Sequence, residues 1–145
     1  MYGRSTIAIE KAIATIRGGG DFDKNRYNIK VKRCHRGEYY YVRHWNTIVA
    51  IGRGTDMPFA MRTLGWNTVT TLNLLRSLGF PISSKRMATG EFVNEETHRK
   101  NKIYESVLQI NDRPMINPKS GKPDYDSWWS TEGFYLGDAN TLNLW

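Results

Sequence analysis

His35 and His44 lie in a stretch, RYNIKVKRCHRGEYYYVRHW, that also carries Lys30, Lys32, Arg33, Arg36 and Arg43. Two imidazoles beside a cation are the components of a small nuclease, with acid–base transfer at the rings and Lys32 or Arg43 steadying a phosphorane-like transition state. That chemistry needs the hairpin to bring both rings together. The same stretch suits plain binding equally well. Its cations alternate with Tyr39, Tyr40, Tyr41 and Trp45, the pattern of a surface that meets phosphates by charge and bases by stacking. The candidate nucleic-acid-binding set is therefore Lys30, Lys32, Arg33, Arg36 and Arg43 for phosphates, with Tyr39, Tyr40 or Tyr41 as stacking platforms.

Other chemistries find weaker footing. His98 is the only further histidine, and none of the three sits at metal-ligand spacing with cysteines or carboxylates. Asp21 with Asp23, and Asp124 with Asp126, could chelate a hard cation but read better as solvated turn residues. Ser83, Ser84 and Ser127 lack a G-x-S-x-G elbow. Gly18-Gly19-Gly20 is not a phosphate loop, because acidic Asp21 and Asp23 follow where Lys and Ser or Thr would be required. A binding protein is expected rather than an enzyme, with no catalytic residue, no metal ligand and no cofactor.

Charge is concentrated where the candidate site lies. Residues from Met1 to Leu64 hold 12 Lys and Arg against 5 Asp and Glu, and the remainder holds 9 against 9, so the whole net charge of +7 belongs to the N-terminal stretch. At 145 residues the chain is long enough to fold around one core without a metal or disulfide. Cys34, the single cysteine, excludes an internal disulfide and reads as a small, half-buried strand residue. No apolar run approaches membrane-spanning or signal-peptide length, so a soluble, cytoplasmic protein without membrane contact is expected.

Several elements must position these residues. Ile9, Ala12, Ile13 and Ile16 make one apolar stripe, predicting a helix from about Ser5 to Arg17 that the three glycines end. Tyr27, Ile29 and Val31 alternate with Arg26, Asn28, Lys30 and Lys32, which predicts a half-buried strand with a basic outer face. Glu38 to His44, Thr47 to Ile51 and Phe59 to Leu64 complete an antiparallel four-stranded meander with short connections. GWNTVTTLNLLRSLGFP predicts a second helix, capped by Asn67 or Thr68, striped by Leu72, Leu75 and Leu78, and stopped by Gly79 and Pro81. Its Thr-rich first turn could also hold a phosphate. Ile82 to Ala88 and Ile103 to Ile110 read as strands around a charged turn, Glu95 to Lys102. The fold class is α+β: an antiparallel sheet of four to six strands, two helices, and an aromatic-rich C-terminal tail. The α+β domain is placed at 1–110 and an irregular tail at 111–145, packed on the same domain because Tyr125, Trp128, Trp129, Phe134, Tyr135, Leu142 and Trp145 are too apolar for a disordered segment.

The order AIATIRGGG, YYVRHWNTIVAIGRG and LGWNTVTTLNLLRSLG resembles a group of small uncharacterised accessory proteins of tailed bacteriophages. The likeness covers about Ala12 to Gly79. It implies a phage accessory protein acting in the bacterial cytoplasm, and no active site. Its partner is then nucleic acid, DNA or RNA, or else a host protein blocked through Tyr and Trp anchors with Arg at the rim.

Overall fold

The computed structural model describes residues 5–23, 28–45, 47–63, 69–138 and 142. Within these, the chain is α+β. Helix α1, Ser5–Gly18, buries Ala8, Ile9, Ala12 and Ile16 on one stripe, and Gly19 ends it in the left-handed region at φ 81°. The meander follows as β1, Ile29–Cys34, β2, Tyr39–His44, β3, Thr47–Arg53, and β4, Ala60–Met61. β4 is much shorter than Phe59 to Leu64, and Leu64 lies outside the described residues. Helix α2, Val69–Ser77, buries Leu74 and Leu75, with Leu78 just beyond and Gly79 at φ 101° closing it. The caps proposed for it, Asn67 and Thr68, are outside the described residues.

The strands form two sheets. The larger has the order β1-β2-β3-β4-β8-β9, where β8 is Trp128–Ser130 and β9 is Tyr135–Gly137. The tail expected to be irregular therefore supplies two strands of this sheet, and the six-stranded limit of the expected range is reached through them. Trp128 and Trp129 are both buried but on opposite faces. Trp129 joins the main core with α1, α2, Ile29, Val31, Tyr40 and Val42, while Trp128 makes a second cluster with Ile48, Ile51 and Ala60.

The smaller sheet is β5, Ile82–Val93, paired with β6, Lys100–Ile110, and capped by β7, Arg113–Pro114. Both long strands run well past the expected ends at Ala88 and Ile103. Only their base is rooted, with Ile82, Leu108 and Ile110 in the main core. Beyond Ser84 and Ser106 the pair is an arm with almost every side chain exposed or partly exposed. Its charged residues carry no apolar alternation that would mark them as strand, so cross-strand hydrogen bonding alone extends the ladder.

Asp124 organises the path into β8. Its carboxylate accepts from Asn117 Nδ2 at 2.8 Å, Ser127 Oγ at 2.6 Å and the backbone N–H groups of Asp126 and Ser127 at 3.1 Å, while its carbonyl accepts from Trp129 Nε1 at 3.0 Å. Burial pushes this carboxyl up, but the donors from Ser127, Asn117 and Asp126 outweigh it and hold the group below its usual range. The ionised form therefore stabilises the fold fully above the ordinary carboxylate range, and this contribution fades as pH falls through the lowered native value. Thermal melts across acid pH should show wild type losing stability below about pH 4. Asp124→Asn should start lower and respond more weakly over that window. Asp124→Ala should cost about 1–3 kcal/mol, the scale of donors left unpaired.

Candidate nucleic-acid interface

Period-two geometry decides which candidate side chains meet. In the β1–β2 register Lys30 stands opposite Arg43, Lys32 opposite Tyr41 and Cys34 opposite Tyr39. These six share the outer face. An open groove of about 330 Å³ lies there, lined by Lys30, Lys32, Tyr41 and Arg43 and also by the carboxylates Asp21 and Asp23. The Arg43 guanidinium lies over the Tyr41 ring at 5.3 Å, and its Nε is buried without a hydrogen-bond partner among the described residues. Arg53, two residues beyond the expected end of its strand, stacks over Tyr39 at 5.8 Å and pairs with Glu38 at 3.1 Å. Sequence reasoning passed over Arg53, although it shares parity with outward Ile51. Cation and phenol thus alternate across the face in two stacked pairs.

The acidic side of the groove is built into the same face. Phe22 bridges the free edge of β1 through two backbone bonds with Val31, at 2.9 and 2.7 Å. This sets Asp21 beside β1, where its carboxylate accepts from Arg33 N at 2.8 Å and approaches Lys32 Nζ at 3.9 Å. The Lys32 contact is exposed and weak, so it leaves the lysine available to an anion.

Arg33 does not belong to this face, and its assignment to the binding set is corrected. It follows Ile29 and Val31 in the inward parity. Its guanidinium donates to Ile16 O at 2.8 Å, Gly20 O at 3.2 Å and Gly54 O, and covers the Tyr40 ring at 5.0 Å. Tyr40 is likewise no stacking platform: it is fully buried, and its hydroxyl donates to Asp56 O at 2.5 Å. Burial raises its phenol well above the ordinary value, so it stays protonated. Arg36 is exposed in the His35–Gly37 turn at the end of the hairpin, adjacent to the face rather than on it.

The two histidines do not converge either. His35 lies in the exposed turn, edge-on to Tyr39 at 6.0 Å. His44 is at the opposite end of β2, about 17 Å farther along at the usual strand rise, with its side chain buried on the inner face against Thr71 Oγ1 at 2.8 Å. The same bond engages the Thr71 hydroxyl that a phosphate at the start of α2 would have used. Cys34 is half-buried, its thiol donates to Tyr39 O at 3.7 Å, and burial pushes the thiol up. Among the described residues no three His, Cys, Asp or Glu side chains gather as a metal site, and no helix is long and apolar enough to cross a membrane.

No family model, curated protein or solved structure matches the chain.

The division between Arg33 and its neighbours is testable by chemical denaturation. Arg33→Ala should destabilise the fold by about 3 kcal/mol, since it strips charged hydrogen bonds from three carbonyls, two of them part-buried. Lys32→Ala should stay within about 0.5 kcal/mol of wild type, as an open surface position does. Equal losses in the two variants would refute the division.

Proposed function

We propose that the chain binds nucleic acid, with little sequence preference, along the outer face of β1 and β2. The observation that carries this reading is the register: it gathers Lys30, Lys32 and Arg43 around one open groove and sets the Tyr39 and Tyr41 rings alongside them. Three cations at strand spacing suit successive phosphates. The basic residues lie on strands rather than on a helix shaped for the major groove, which favours backbone contact and stacking over base-edge readout. The likeness to accessory proteins of tailed phages gives such binding a setting in the bacterial cytoplasm.

Counterion release provides the test. Each phosphate contact contributes roughly 0.7–0.9 to the slope of log affinity against log salt, so replacing Lys30, Lys32 and Arg43 together by Gln should flatten that slope by about two. Arg33→Lys, on the other face, should leave the slope unchanged. A wild-type protein that is not retained by single- or double-stranded DNA or RNA at low salt would refute the proposal. Nuclease-resistant capture of a host protein by the same face would replace it with the inhibitor reading.

A further inference from the structure

The β5–β6 arm is two-faced. Its register puts Lys85 with Val107, Met87 with Glu105, Gly90 with Ile103 and Phe92 with Asn101 on one side, the extra residue of a bulge between Ala88 and Gly90 keeping the side chains in phase. The other side carries Arg86 with Ser106, Ala88 with Tyr104, Glu91 with Lys102 and Val93 with Lys100. Arg86 stacks over Tyr104 at 5.9 Å, consistent with that division. The first side has an apolar strip, Met87, Ile103 and Phe92, in which Ile103 is 40% and Phe92 50% exposed. A bare two-stranded ribbon is marginal in water, and an uncovered strip of this kind tends to be occupied.

Charge selects the occupant. The apolar side bears one cation, Lys85, and one anion, Glu105, so it offers a polyanion no net attraction. The other side holds three cations against one anion, and two copies meeting there would repel. The geometry points to a second copy of this chain packed against the Met87, Ile103 and Phe92 side, in a two-fold dimer of arms. A half turn about an axis parallel to the arm lays β5 of one copy over β6 of the other. Ile103 then faces the partner's Gly90, over which the partner's Ile103 leans with its Cδ1 3.6 Å from where a Cβ would stand, so the two Ile103 side chains meet near the axis, and Lys85 lies one rung from the partner's Glu105. Because the contact is isologous, that ion pair forms twice.

Sedimentation velocity on the full chain tests this directly. Wild type should run at twice the chain mass and dissociate on dilution, whereas Phe92→Asp with Ile103→Asp should run at the single-chain mass. Tyr104→Asp, on the opposite side, should remain dimeric. Lys85→Glu should raise the dimer dissociation constant roughly fivefold, the scale of two exposed ion pairs, and adding Glu105→Lys should restore it. Amide exchange in wild type gives a readout that needs no variant: protection of residues 84–106 should rise with protein concentration. A wild type of single-chain mass at every concentration, arm exchange independent of concentration, or dissociation by Tyr104→Asp as complete as by the double variant would each overturn the proposal. A monomer whose strip instead captures a different protein would do the same.

Discussion

The contact on which the sheet depends is the stack of Arg33 on Tyr40 on Gly52. Arg33 gathers Ile16 O in the last turn of α1, the loop at Gly20 and the turn after β3 around one guanidinium, at a helix end where a cation is favoured. Tyr40 lies between Arg33 and β3. Its ring occupies the space in which a Cβ at position 52 would stand, so only glycine fits there. The Tyr40 hydroxyl then ties the loop before β4 through Asp56 O. Helix, first hairpin and following turn are fixed relative to one another by a single cation and a single phenol. Side chains alternate along a strand, so the register that turns Arg33 inward is the register that turns Lys30 and Lys32 outward. The basic face is a consequence of the structural contact beneath it.

The face has limits set by the same sheet. Toward β3 and β8 it runs into a second small core of Ile48, Ile51, Ala60 and Trp128, against which Tyr41 packs. Arg62 closes that side by stacking over Trp128 at 4.9 Å and donating to Ile48 O at 2.8 Å, which makes it a cover for apolar surface rather than a free cation. Toward the β1 edge the face ends at Asp21 and Asp23. What remains between is a narrow basic strip along one hairpin.

Much of this was legible in the residues, and the failures have identifiable causes. The alternation of Ile29 and Val31 with Lys30 and Lys32 announces both the strand and its outer face, and that same parity places Arg33 inward. Grouping Arg33 with its neighbours let charge override periodicity, although burying an arginine is favourable when several carbonyls and a ring receive it. Three consecutive tyrosines hid the inward face of β2, because aromatic side chains suit either side. The helix stripes and the glycines that end them are local signals and were readable. The pairing of β8 with β4 joins residues far apart in the chain, so Trp128 and Trp129 could be read as ordered but not as strand. The arm was cut short because its outer half lacks any core to imprint apolar alternation on its sequence.

The uneven distribution of charge along the chain becomes a division of labour in space. All the net positive charge belongs to the first 64 residues, and the arm from residue 84 to 106 is nearly balanced, with five basic and four acidic side chains. A balanced arm can approach its own copy without the repulsion that would drive a pair of basic faces apart. If copies join through these arms as proposed, one particle carries two basic strips. For a polyanion long enough to reach both strips, the second contact becomes intramolecular, and its effective concentration lies in the millimolar range for a short span. On the proposed nucleic-acid reading, a strip of three cations supplies only a small counterion term, because that term scales with the number of contacts. Doubling the strips through the arm would raise that number without enlarging the sheet, so the proposed basic face and the proposed arm dimer would reinforce each other.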